Sequence, residues 1–195
     1  VNESIILKYF NNLKSNDIST KTSDDDFVSI ADKKSEELIC KRLLGFLNVK
    51  KFIGEEASYL NNKQYITLLN EPLVWVVDPI DGTKNYINGK DTFCSMISLV
   101  SFSIPIATFI YYPLKNIYVY AFKGFGAYSM NIDTNKITKL SINQTTPKLI
   151  LGSGGTKGIP DPYRKSILDN LRNNTKRVFI GSAGIETIML ANNET

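Results

Sequence analysis

The sequence predicts an α+β layered sandwich, and three observations predict it. Amphipathic helical patterns open the chain at 4–14 and 31–47. A succession of short β-branched and aromatic segments, separated by turn residues, fills 93–140. Between them stands Leu73-Val74-Trp75-Val76-Val77, a short continuous apolar run that reads as a strand covered on both faces. The architecture these imply is a helix pair on an antiparallel sheet of about six strands, followed by an incomplete second α/β layer.

Taken in order, residues 4–14 place Ile5, Ile6, Tyr9, Phe10 and Leu13 on one helical face. Residues 15–28 read as a polar, turn-rich, mobile connection. The helix at 31–47 carries Leu38, Ile39, Leu43, Phe46 and Leu47 as its apolar stripe, with Lys33, Lys34, Glu36, Glu37 and Lys41 on the wet face. A short strand at 51–53 leads into Gly54-Glu55-Glu56, and 57–71 reads as a polar connection. The strand at 73–77 stops at Asp78-Pro79, because proline cannot donate to a ladder. The segments 93–102, 105–112, 116–122, 126–130 and 136–140 form a meander. After residue 147 the pattern becomes α/β: a strand at 149–151, a helix opened by Asp161-Pro162 and running to about Leu171, a strand at 178–180 and a helix at 184–192. The chain thus divides into a unit at 1–146 and a partial one at 147–195.

Composition removes several classes of function. The net charge is +4, and the lysines are scattered, whereas a nucleic-acid binder concentrates them on one stripe. Every apolar stretch is broken well before ~18 residues, so no membrane span is expected. The run Asp24-Asp25-Asp26 reads as a solvated loop. Cys40 and Cys94 form no metal or CxxC spacing, which predicts buried free thiols and a cytoplasmic protein. With no histidine at all, Ser-His-Asp and Cys-His catalysis and His-ligated zinc are excluded. Hydrolysis would have to rest on carboxylates, hydroxyls, lysines or a metal held by oxygen. Gly152 to Gly158 lacks the spacing of a P-loop.

One stretch answers that requirement. Asp78 and Asp81 sit where a buried strand leaves the sheet, the usual place for a ligand in α/β proteins. Two adjacent carboxylates raise each other's pKa, and a hard divalent cation such as Mg²⁺ removes the conflict. Gly82 allows a ligand close to the backbone, Thr83 supplies a hydroxyl, and a helical turn starting there would aim N–H groups at a phosphate. Glu55 and Glu56 follow another short strand that could bring one of them to the same ion. The same residue types also make a plain surface turn; the apolar strand directly before them favours the site.

Trp75 to Tyr86, reading WVVDPIDGTKNY, closely resembles the first signature of the inositol-monophosphatase family. Phe52-Ile53-Gly54-Glu55-Glu56 is similar to its upstream Gly-Glu-Glu element, and Asp26 to Asp32 to the opening of its second helix. Pro105 to Pro113, Gly124 to Ala127 and Gly181-Ser182-Ala183-Gly184 resemble later family segments in the same order. The resemblance implies an αβαβα sugar-phosphatase-like fold and Mg²⁺-dependent hydrolysis of a small phosphorylated metabolite by a metal-activated water, without a phosphoenzyme and with Li⁺ inhibition. It implies that Glu55, Asp78 and the Ile80 carbonyl hold one Mg²⁺, that Asp78 and Asp81 share a second, and that Glu55 touches a third. It assigns Gly82 and Thr83 to the phosphate, the Thr83–Asp32 pair to the water, and Asp81, Ser153 and Ala183 to the substrate side. Lys21 matches a lysine of the family's active-site loop. A homodimer is the family's common state. Inositol monophosphate is the first substrate expected; adenosine 3',5'-bisphosphate (a bisphosphate nucleotidase), histidinol phosphate and fructose 1,6-bisphosphate are the alternatives. The family's second signature, Trp-Asp-x-Ala-Ala, does not occur before Thr195, which reads as a truncation ahead of the last metal ligand. A non-catalytic metal- or phosphate-binding fragment is therefore the other expectation.

Overall fold

The computed structural model describes residues 1–21, 26–58, 62–141, 150, 151, 160–174 and 177–193. Asp24, Asp25, Ser153 and the glycine-rich run 152–158 lie outside the described residues. The N-terminal helical pattern becomes a π-helical turn, Asn2–Ile6, followed by α1, Leu7–Tyr9. In place of a bare connection, β1 (Ile18–Thr20) and β2 (Phe27–Ser29) pair antiparallel as a small hairpin.

The main helix, α2, begins at Ile30 because Ser29 and Asp32 cap it reciprocally. The Ser29 hydroxyl accepts from the Ala31 and Asp32 N–H groups, and Asp32 accepts from the Ser29 N–H. The helix ends at Leu43, earlier than its apolar pattern predicts, where Gly45 takes a left-handed conformation. Phe46 and Leu47 are consequently exposed and leave the apolar stripe. Glu36 makes the opposite move: it is buried, not on the wet face.

A seven-stranded sheet carries the fold, in the order β3 to β9: Phe52–Gly54, Val74–Asp81, Cys94–Ser101, Ile104–Tyr112, Ile117–Phe122, Gly126–Asn131 and Lys136–Leu140. It is mixed, because β3 runs parallel to β4 while every other neighbour pair is antiparallel. The segment between β3 and β4 holds two short helices, α3 (Glu55–Ser58) and α4 (Asn62–Leu68), where a polar connection was expected. A parallel neighbour requires such a crossover.

Pro79 does not stop its strand. Pairing of β4 with β5 holds through Asp78↔Met96, shifts, and resumes at Asp81↔Cys94. A bulge is where a strand tolerates a residue without an N–H, and the freed Pro79 carbonyl accepts from the Ser95 hydroxyl at 2.7 Å.

Period-two alternation on β5 separates the layers. Cys94 and Met96 pack against Ile185 and Ile188 of α7, Ala183–Ala191. Ile97 packs on the other face with Ile39 and Cys40 of α2. Helices thus cover opposite faces of one sheet, which is the layered sandwich the sequence predicts. The remaining elements are α5 (Thr83–Ile87), β10 (Ile150–Leu151), α6 (Tyr163–Asn174) and β11 (Arg177–Val178), with β10 and β11 paired parallel. Tyr86 of α5 is fully buried between Phe10 and Phe93 and donates to the Ile6 carbonyl at 2.6 Å, which ties the N-terminal turn to the site segment.

Candidate active site

The bulge in β4 takes Pro79 and Ile80 out of the regular ladder between the paired Asp78 and Asp81, and Gly82 then caps α5. Gly82 sits at φ +91°, and a Cβ there would lie 3.0 Å from both the Thr92 carbonyl and the Ser182 Cβ. Only glycine fits this corner.

From α5, the Thr83 hydroxyl faces two acceptors, Asp32 Oδ1 at 3.1 Å and the Ile80 carbonyl at 3.0 Å. The other Asp32 oxygen accepts from the Ser29 N–H at 2.8 Å and the Ser29 hydroxyl at 2.5 Å. Burial raises the Asp32 carboxyl to about 6, against the lowering effect of the Ser29 and Thr83 hydrogen bonds. Helix α2 therefore brings a buried, readily protonated carboxyl to the end of β4.

Asp78 is more strongly perturbed. Burial first, then the charges of Glu55 and Asp81, hold it well above the usual carboxylate range. Its Oδ1 is buried without a hydrogen-bond partner among the described residues. Asp81 is anchored instead: Oδ2 accepts from the Ser182 hydroxyl and the Gly184 N–H, both at 2.7 Å. Asn85 reinforces that junction by donating to the Thr92 and Ile180 carbonyls, both at 2.9 Å.

Glu55 and Glu56 emerge from β3 beside β4, and Lys21 reaches them from the β1–β2 hairpin. Its ammonium lies 2.8 Å from Glu55 Oε1 and 2.7 Å from Glu56 Oε1. Burial pulls the Lys21 pKa down, but hydrogen bonds and charge from the two glutamates outweigh it and leave it raised. Burial lifts Glu56 to about 7 despite Lys21.

The structure therefore brings Glu55, Asp78, Ile80, Asp81, Gly82, Thr83 and Asp32 to one end of the sheet, together with Lys21. Ala183 is exposed at the first position of α7, next to the Gly184 N–H that binds Asp81. Ser153 is outside the described residues. Among the described residues no three acidic, histidine or cysteine side chains converge as a ready ligand cluster; Glu55 is engaged with Lys21. The donor set nevertheless suits a hard cation, because a buried carboxylate oxygen without a partner, in the field of two more carboxylates, is what such an ion relieves.

Two contributors went unrecognised in the sequence. Glu36 lies one turn beyond Asp32 on the same face of α2 and accepts from the Glu56 N–H at 2.7 Å and the Ala57 N–H at 2.9 Å. The four-residue spacing was the available signal. Ser182 both caps α7 and holds Asp81. A serine just before an apolar helix was its signal.

The sequence and the fold both resemble known proteins. The chain is 31% identical to a fructose-1,6-bisphosphatase/inositol-1-monophosphatase of Aquifex aeolicus over 96% of its own length and 67% of the relative's. It is 34% identical to inositol monophosphatase 1 of Solanum lycopersicum over 66% of its length and 44% of the relative's. The chain thus spans from under half to about two thirds of the length of these relatives. The fold superposes on Thermotoga maritima IMPase with a TM-score of 0.73 at 18% identity, covering 97% of this chain and 67% of that one. The model of the inositol monophosphatase family, whose members hydrolyse phosphate monoesters and are generally metal-dependent, matches residues 3–195. The chain belongs to the inositol monophosphatase family.

Proposed function

We propose that this chain hydrolyses a small phosphate monoester with Mg²⁺, and that inositol monophosphate is its first substrate. The observation that carries the reading is the end of β4, where the unpartnered Asp78 oxygen lies close to the Thr83–Asp32 hydrogen bond. Glu55, Asp78 and the Ile80 carbonyl would hold one ion, Asp78 and Asp81 a second, and Glu55 a third and weaker one. Bound there, Mg²⁺ supplies a water of lowered pKa and a counter-charge for the leaving alkoxide.

The chain's own groups do the rest. Backbone N–H groups of Gly82 and Thr83 bind the phosphate. The Thr83 hydroxyl orients the attacking water. As the water oxygen bonds to phosphorus and the bond to the alcohol oxygen breaks, the water's proton passes to Thr83 Oγ1 and the threonine's own proton passes to Asp32 Oδ1. The departing alkoxide takes a proton from solvent. A carboxyl lifted to about 6 is suited to accept that proton near neutral pH. Asp81 and Ala183 would contact the substrate, and the family resemblance assigns Ser153 to the same role. Li⁺ inhibition, a homodimeric state and a cytoplasmic location belong to the same reading. No helix among the described residues is long and apolar enough to cross a membrane.

The name of the Aquifex relative supports inositol phosphate and fructose 1,6-bisphosphate as the first substrates to test. Phosphate release should be measured with and without Mg²⁺ on these two, adenosine 3',5'-bisphosphate and histidinol phosphate. Asp81→Asn should lower kcat/KM by about 10²-fold or more; unchanged Mg²⁺-dependent release would refute the assignment. Mg²⁺ binding by calorimetry without turnover would favour a second reading, a non-catalytic metal- or phosphate-binding module. The Lys21 ion pairs favour the phosphate-binding form of that reading, since they neutralise Glu55 and Glu56 without a metal.

A further inference from the structure

We propose that Glu36 is a positioning residue for Glu55, fixing from α2 the direction in which Glu55 leaves β3. The inference rests on the reading of Glu55 as a metal ligand. Glu36 is 6% exposed and has no cation within ion-pair distance among the described residues. Its carboxylate instead spans the Glu56 and Ala57 N–H groups, one on each oxygen. On the other side of Glu55, a Cβ at Gly54 would collide with that carboxylate, so the Gly54 backbone lies directly against it. The residues before and after Glu55 are thus both registered on one buried side chain.

The Glu55 side chain is 40% exposed, pairs with Lys21 from a separate hairpin and hydrogen-bonds with Asp78, so its direction depends on how its own backbone is held. A buried carboxylate is costly, and an apolar side chain of similar volume would fill the space more cheaply. Only an acceptor of two N–H groups on one rigid fork ties down the backbone that aims Glu55. Asp32 and Glu36 are four residues apart on α2, so the same helix face that holds Thr83 also holds this segment.

The test is a calorimetric Mg²⁺ titration of the full chain, wild type beside Glu36→Gln, Gly54→Ala and Glu55→Gln, with circular dichroism to establish folding. Glu36→Gln keeps length and volume but turns an amide donor toward an N–H donor. Gly54→Ala leaves Glu36 in the chain and pushes its carboxylate off the two N–H groups. Both should weaken Mg²⁺ about tenfold, equivalent to about 1.4 kcal/mol, while remaining folded. If Glu36→Gln does not fold, Gly54→Ala decides. Should both variants bind within twofold of wild type while Glu55→Gln loses the ion, Glu36 only caps α3 and the proposal is overturned. A Glu55→Gln chain that binds like wild type fails differently: the ligand assignment then falls, and the inference with it.

Discussion

Replacing Asp32 by asparagine should separate stability from activity. In the folded chain Asp32 keeps its proton up to about pH 6, against a usual value of 3.8. Folding therefore takes up a proton between these values, so stability falls as pH rises through the window and stays reduced above it. The gap is about two pH units, and at about 1.36 kcal/mol per unit the ionised side chain costs roughly 3 kcal/mol at pH 7.5. Asparagine has no charge to bury. To keep the α2 cap its oxygen must face the Ser29 N–H, which turns its amide toward Thr83. Thr83 then donates to the Ile80 carbonyl at 3.0 Å and has no base to take its proton. The metal-free variant should melt roughly 6–12 °C above wild type at pH 7.5, at about 2–4 °C per kcal/mol for this size. Near pH 4 the two should converge. Phosphate release should fall about 10²–10⁴-fold. Scanning calorimetry at both pH values with EDTA reads the first effect, and steady-state kinetics the second. A variant that melts below wild type at pH 7.5, by the same margin as at pH 4, would refute the argument.

Two further substitutions probe how the site is held. Tyr86→Phe removes the 2.6 Å bond to the Ile6 carbonyl in a fully buried place, and should cost about 1–3 kcal/mol, read as a lower urea midpoint with unchanged slope. Gly184→Ala drives a methyl into the Cys94 sulfur, with Met96 Sδ only 2.9 Å away, and should cost about 1–3 kcal/mol. Combined with Cys94→Ala, it should lose less than the sum of the two single changes, as measured by a double-mutant cycle.

The meander was legible because period-two alternation and turn residues act locally: the five predicted segments at 93–140 coincide with β5 to β9 within about two residues. The start of the main helix was likewise legible, read at residue 31 and found at Ile30. Long-range geometry was not legible. No local pattern states that β3 lies parallel to β4. Pro79 read as a stop because the ladder partner that accommodates its bulge, Ser95 on β5, is sixteen residues away. Glu36 read as solvent-facing because its partners, the N–H groups of residues 56 and 57, reach it only once α3 has docked. The cluster at Asp78, Asp81, Gly82 and Thr83 was legible as a single contiguous string, whereas the Ser182 and Lys21 contacts close loops of about 100 and 34 residues.

The four-residue interval between Asp32 and Glu36 turns α2 into a ruler. One graduation touches Thr83 after β4, and the next touches the backbone after β3. A point substitution on the outward face of α2 leaves that measure intact. A single inserted or deleted residue between 32 and 36 turns one mark by roughly 100° relative to the other, so that one of the two strand ends loses its reference. Between the two marks the exposed Lys33 and Lys34 should accept wide variation in sequence, and the stretch none in length.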